Sequence, residues 1–238
     1  MLNPLCSCEI LLESKSFVKR LLDLSISALV LLAFFPIGLL IAGAIYLTDP
    51  GPVFYRQERI GREGKKFRLW KFRTMKVHQP SESGHITYGT QDPRITPLGY
   101  YLRMLKLDEI PQLINVLKGE MSLVGPRPEV ERYVSMYNQQ QRKILVLRPG
   151  CTDITVLYGH FHDAALLENQ KDDPESFYIN VLMPKKIEHN LFYQANQSLW
   201  LDLKILIGTA LLMLRIRQNK PMTAGLTVIG GLLVPYSD

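Results

Sequence analysis

The sequence predicts a mainly helical α+β protein, monotopic in a membrane, with a proline-broken re-entrant helix, a small β-hairpin and interfacial amphipathic helices. Three observations predict it. From Leu24 to Leu47 the chain runs 24 residues without Asp, Glu, Lys or Arg, which as a helix spans about 36 Å at 1.5 Å per residue. Residues 51–76 carry nine Lys or Arg against Glu58 and Glu63, a net of +7, whereas the whole chain is only +6. A mean hydropathy of +0.02 is high for a soluble body and low for a polytopic carrier. With 238 residues, 47% of them hydrophobic and 21% charged, the chain can bury a core and is neither a disordered tail nor a collagen. Cys6, Cys8 and Cys151 are its only cysteines, too few and too poorly spaced for a disulfide framework or a zinc site.

Residues 1–15 read as a tail and 16–50 as the membrane segment. The segment is too long for a cleaved signal peptide. Lys15, Lys19 and Arg20 precede it and the +7 block follows it, and positive flanks favour the cytoplasmic side. A spanning helix would have to export one of them. Pro36, in the middle of the run, removes a helix hydrogen bond and permits a kink. A helix that enters, breaks at Pro36 and returns keeps both flanks inside; a spanning helix with a proline kink is the alternative.

The cytosolic catalytic body is expected over 51–197. Val53-Phe54-Tyr55 and Phe67-Arg68-Leu69-Trp70-Lys71-Phe72, with Gly61 and Gly64 between them, read as two strands of a hairpin at the interface, Arg and Lys facing phosphates. Lipid phosphates or an anionic substrate fit this block. Nucleic acid is the weakest partner, because the block is tethered to a bilayer and no nucleic-acid module accompanies it.

Asp92 to Gly99 supplies turn and cap residues ahead of a helix over 100–106. A second helix is expected from about Leu107 to Lys118, with Pro111 in its first turn and Gly119 as its stop. That places Asp108 and Glu109 at a helix N-terminus, where carboxylates are favoured for structural reasons alone. The company they keep points further. Arg103 and Lys106 lie just upstream, so a phosphate can be held beside a carboxylate, and a carboxylate with cations and a metal can attack a phosphoryl group. Pro126 and Pro128 bracket Arg127 and fix its backbone, which suits a guanidinium aimed at phosphate, although a solvated rigid turn has the same pattern.

Helices are expected over 129–147 and 185–195. From Ser198 another helix runs on, but Asp202 and Lys204 leave only about ten uncharged residues, so residues 198–220 lie in the interface with Trp200 as anchor, or pack on the core. His160 and His162 have strand spacing for a metal, but surface histidines are the commoner case. The tail 221–238 matches no pattern.

Four ordered stretches then carry a resemblance: Lys71-Phe72-Arg73-Thr74-Met75, Asp92-Pro93-Arg94-Ile95-Thr96, Leu107-Asp108-Glu109-Ile110-Pro111-Gln112-Leu113 and Ser122-Leu123-Val124-Gly125-Pro126-Arg127-Pro128. Over roughly residues 16–215 the chain resembles the bacterial sugar transferase family, the monotopic phosphoglycosyl transferases. The resemblance implies an enzyme of the bacterial inner membrane, its catalytic domain on the cytoplasmic face. It would move a sugar 1-phosphate from a nucleotide diphosphate sugar, usually UDP-linked, to polyprenyl (undecaprenyl) phosphate with Mg²⁺ or Mn²⁺, initiating glycoconjugate synthesis. By motif, Asp108 is the nucleophile and Glu109 its partner, the two also holding the metal. Arg103, Arg127, Lys71 and Arg73 become phosphate or nucleotide contacts, and Pro36 the break of the re-entrant helix. The family often shows Arg-Pro-Gly-x-Thr-Gly followed by Gln, where this chain has Arg148-Pro149-Gly150-Cys151-Thr152 and then Asp153. Two other functions use the same residues: a membrane hydrolase cleaving a pyrophosphate with the dyad, and a tethered scaffold whose basic hairpin binds anionic lipid.

Overall fold

The computed structural model describes residues 4–77, 92–158, 173–217, 226–229 and 232–235; His160 and His162 lie outside them. The apolar segment belongs to a single helix, α1 (Pro4–Thr48), which starts well before residue 16 and continues as helix on both sides of Pro36. Asp23, Ser27, Ile41 and Ile45 are buried, and Leu31, Phe34 and Ala42 pack on the cores of the body. Steps of three and four residues place them on one stripe. The remaining faces present Leu29, Leu32, Phe35, Leu39, Leu40 and Leu47, the last 81% exposed.

The hairpin forms as expected. Strands β1 (Phe54–Ile60) and β2 (Lys66–Phe72) pair antiparallel with Tyr55 opposite Lys71, and the chain reverses through Glu63 (φ 58°) and Gly64 (φ 76°). Phe67 and Leu69 enter the main core with Leu113, Val116, Met121 and Ile205, while Phe72 lies with Ile41, Ile45 and Leu102 of the core under α1. The Arg56 guanidinium covers the Trp70 ring at 4.2 Å.

Helix α2 (Pro97–Met104) begins at Thr96, whose side chain accepts the Gly99 amide. At Gly99 a Cβ would sit 2.1 Å from the Thr74 carbonyl oxygen, so only glycine permits this approach. Helix α3 (Gln112–Lys118) stops at Gly119 (φ 86°), as expected. It does not begin at Leu107, however. Lys106 adopts φ 56°, and Leu107–Glu109 forms a separate 3-10 turn. Leu107 packs on the core under α1 and Ile110 on the main core; the left-handed residue starts a turn that serves both.

Strand β3 (Ser122–Val124) pairs in parallel with β4 (Gly150–Thr152). The helix expected over 129–147 is replaced by α4 (Glu131–Val134) and a 3-10 turn at Gln141–Val146. Asn138 and Gln141 each accept the other's backbone amide at 2.9 Å, a local pattern that competes with helix continuation. Tyr133, Tyr137 and Ile144 are still buried, in a second core with Tyr178 and Ile187. Beyond come α5 (Pro174–Phe177), a π-turn at Tyr178–Leu182, α6 (Met183–Ala195) and α7 (Leu199–Arg217). In α7, Ile205 is fully buried and Trp200 63% exposed, so this helix packs on the core with one face and exposes Trp200 on another. The tail contributes a hairpin of β5 (Leu226–Ile229) and β6 (Leu232–Pro235).

Candidate active site

Glu109 is the meeting point. Its Oε1 accepts Lys71 Nζ at 2.7 Å and Arg127 Nη2 at 2.6 Å, joining β2, the 3-10 turn and the Pro126-Arg127-Pro128 turn. Each arm is held from behind. The fully buried Asn115 accepts the Trp70 amide (3.0 Å) and donates to the Arg68 carbonyl (2.8 Å) and to Glu120 (2.6 Å), pinning β2 beside Lys71 to α3. The arginine turn is tied to β4 by Gly125 N to Thr152 O (3.0 Å) and Gly150 N to Pro126 O (2.9 Å), and to β1 by Ile60 N to Glu129 O (2.9 Å). Arg59 adds a bond to the Pro128 carbonyl. Cβ atoms on Gly125 or Gly150 would lie 2.3 and 2.2 Å from backbone atoms, so this crossing has no slack. Arg103 Nε donates to Thr74 Oγ1 at 2.8 Å, on the segment that Gly99 lets approach.

The two carboxyls titrate in opposite directions. Burial, then the neighbouring Glu109 charge, pushes Asp108 up against the pull of Lys71, Lys106 and Arg103. Burial alone would raise Glu109 as well, but Arg127, Lys71 and Lys106 outweigh it and hold that carboxyl well below its usual range. Burial lowers both Lys106 and Arg103. The split sets two chemically similar groups in different states: Glu109 is an anion held by two cations, and Asp108 is the carboxyl whose charge the site disfavours. Among the described residues no hydrogen-bond partner reaches the buried Asp108 Oδ1, and a buried oxygen left unsatisfied costs stability.

Among the described residues no cluster of three or more His, Cys, Asp or Glu side chains stands ready for a metal. The orphaned Asp108 oxygen nevertheless fits Mg²⁺ or Mn²⁺ chemistry, since such ions take one or two carboxylates and complete their shell with water and substrate phosphates. Glu109 offers less, its Oε1 being shared by two cations.

Of the residues expected at the site, Asp108, Glu109, Lys71 and Arg127 come together, with Arg103 and Lys106 close enough to act on their charges. Arg73 does not join them. Its side chain is 8% exposed and bonds Asp49 at the end of α1. Thr74 and Asn115 carry the cations without being titratable; the signal for Asn115 was a polar residue on the apolar face of a short helix.

One long apolar helix packs on the body, and beside Asp108 two cations clamp Glu109. Residues 14–216 match the family model described as bacterial sugar transferase, and the chain belongs to that family. Over 198 residues it is 38% identical to the UDP-glucose:undecaprenyl-phosphate glucose-1-phosphate transferase of Klebsiella pneumoniae, covering 80% of this chain and 39% of that protein. It is 36% identical to the UDP-N-acetylgalactosamine-undecaprenyl-phosphate N-acetylgalactosaminephosphotransferase of Aeromonas hydrophila, covering 82% and 43%. It is also 36% identical to the uncharacterized sugar transferase EpsL of Bacillus subtilis, covering 81% and 85%. The chain thus spans about two fifths of the first two relatives and most of the third.

Proposed function

We propose that this protein transfers a sugar 1-phosphate from a UDP-sugar to polyprenyl phosphate, releasing UMP, as the initiating step of bacterial glycoconjugate synthesis. The carrying observation is the buried Asp108 oxygen, without a hydrogen-bond partner among the described residues, beside a Glu109 already clamped by Lys71 and Arg127. Lys71, Arg103, Lys106 and Arg127 against two carboxylates leave a net charge of +2, matched to a diphosphate. Asp108 Oδ1 attacks the phosphorus that bears the sugar; the bridging P–O bond breaks and UMP departs with its electron pair. An oxygen of polyprenyl phosphate then attacks the same phosphorus, and the Asp108 carboxylate leaves. Mg²⁺ or Mn²⁺ would be held by the Asp108 and Glu109 carboxyls with phosphate oxygens of the substrate, and would supply charge neutralisation. Lys71, Arg103 and Arg127 hold phosphate oxygens, and Arg73 supports them from behind by fixing the end of α1.

The same reading has the apolar segment re-entrant, with both flanks and the body on the cytoplasmic side. Support comes from where its ends are attached. Arg20 bonds the Leu117 and Met121 carbonyls, and Asp49 at the far end bonds Arg73; both attachments belong to one body, in which Asn115 joins β2 to α3. A straight helix of about 36 Å across the bilayer would separate those ends to opposite faces.

Membranes containing the full chain, given polyprenyl phosphate and a panel of UDP-sugars that includes UDP-glucose and UDP-N-acetylgalactosamine, should release UMP and form polyprenyl diphosphate sugar with at least one donor. Sustained UMP release without the lipid acceptor would indicate a hydrolase, and no release with any donor would remove the enzyme reading.

A further inference from the structure

Two buried carboxylates and a half-buried lysine outside the site are not used by the mechanism above: Asp23 and Lys19 on α1, and Asp202 on α7. All three converge on β3. Asp23, 5% exposed in a helix that is otherwise apolar from Leu24 to Leu47, accepts the Leu123 amide through Oδ1 (3.2 Å) and the Ser122 hydroxyl through Oδ2 (2.7 Å). Lys19 Nζ donates to the Val124 carbonyl (3.1 Å) and to Asp202 Oδ2 (2.7 Å), with side chains 16% and 9% exposed. Tyr193 of α6 donates to the other Asp202 oxygen.

Strand β3 has β4 as its strand neighbour, and the Leu123 amide and Val124 carbonyl go to side chains from the anchor helix. Val124 is three residues from Arg127. The intervening Gly125 is locked against the Arg148 carbonyl, and Pro126 has a fixed φ. A short, stiff stretch of backbone thus joins β3 to the Arg127 turn, and a shift of the strand would be passed along it. Burying two carboxylates and half-burying their lysine is expensive, and apolar residues would pack there at less cost; their presence points to a role in placement.

We propose that Asp23, Lys19 and Asp202 are positioning residues for Arg127, coupling the seating of the anchor helix in the membrane to the geometry of the arginine that holds the donor diphosphate. The proposal rests on the transferase reading for its kinetic consequences, but its structural core does not. Removing Asp23 frees the Leu123 amide, lets β3 drift, and moves Arg127 away from Glu109.

The test is a double-mutant cycle on the full chain in nanodiscs of phosphatidylethanolamine and phosphatidylglycerol, read alongside hydrogen exchange of the 122–128 segment. Asp23→Ala should lower kcat/KM for the UDP-sugar on the order of 10- to 100-fold, the scale of an ångström misplacement. In an Arg127→Ala background the same change should cost less than about 3-fold, because the residue it acts through is already gone. Asp23→Asn should recover most of the loss, since an amide can still accept from Leu123 and donate to Ser122. Exchange at Leu123 should accelerate in Asp23→Ala. Should that variant not fold, Ser122→Ala, which deletes one hydroxyl, takes its place in the cycle. Additive losses overturn the proposal whether or not exchange changes, and so does unchanged exchange. Accelerated exchange in a protein whose unaltered form turns over no UDP-sugar would instead refute the transferase reading and leave the strand coupling standing.

Discussion

Asn115 offers the clearest perturbation of how Lys71 is held. Asn115→Ala removes three hydrogen bonds at once: from the Trp70 amide, to the Arg68 carbonyl and to the Glu120 carboxylate, at 3.0, 2.8 and 2.6 Å. Two bonds between neutral groups at about 1 kcal/mol each and one to a charged group at about 2 kcal/mol give a loss of about 4 kcal/mol. For a chain of this length each kcal/mol lowers Tm by about 2–4 °C, so a fall of roughly 10 °C is expected. Kinetics should follow, because Lys71 is the next residue after Trp70 and its ammonium meets Glu109 at 2.7 Å; drift of β2 by an ångström would lower kcat/KM on the order of 100-fold. Asn115→Asp sharpens the test. It keeps an acceptor for Trp70 but sets a carboxylate against Glu120, and should be at least as harmful. The assay is thermal unfolding in nanodiscs together with UMP release. A Tm within about 2 °C of the unaltered protein, with unchanged kcat/KM, would refute the claim that this amide holds the hairpin in register.

Asp108→Asn should abolish transfer and, at neutral pH, raise Tm. A carboxyl raised by burial costs stability as pH climbs through its folded pKa, so the gain should fade as pH falls to about 4, the ordinary Asp range. Brief incubation with donor alone should leave a phosphosugar on the Asp108 peptide that polyprenyl phosphate discharges; a ternary-complex rate pattern with no adduct would exclude the covalent route. Arg127→Lys keeps the charge but loses the planar fork, and a fall of at least about 10-fold in kcat/KM is expected, with near-normal kinetics favouring a merely solvated turn. Excess chelator should stop turnover and Mg²⁺ or Mn²⁺ restore it, whereas full activity in chelator would show that the cations of the chain suffice. Cysteines placed at the two flanks of the apolar segment should both resist labelling from outside intact cells, and external labelling of either one would mean that the segment spans.

What was legible in the sequence was what local chemistry decides. Alternation around Gly61 and Gly64 gave the hairpin, Gly119 the end of α3, the turn and cap residues of 92–99 a helix that in fact starts three residues earlier than expected, and the paired prolines the stiffness of the Arg127 turn. The placement of Asp108 and Glu109 on a turn of their own was not legible, because a left-handed Lys106 is stabilised by two cores that exist only in the fold. The break within 129–147 was missed because buried Tyr133, Tyr137 and Ile144 mimic helical spacing while Asn138 and Gln141 close a turn. Arg73 looked like its neighbour Lys71 in a basic run; only Asp49, 24 residues away, sets it apart. Asp23 had left one trace: a carboxylate at the rim of an apolar run, where water alone is a poor partner.

The stripe along α1 bears on how such a protein can be handled. A fragment beginning after residue 50 would uncover Phe72 and Leu102, strip the Leu123 amide of its Asp23 partner and take the Lys19 ammonium from the Val124 carbonyl. Trimming the chain to a water-soluble catalytic piece is therefore a closed route. The helix is a wall of the body, and substitutions meant to make it soluble have to be confined to the exposed apolar positions, such as Leu32, Leu40 and Leu47, that touch neither core.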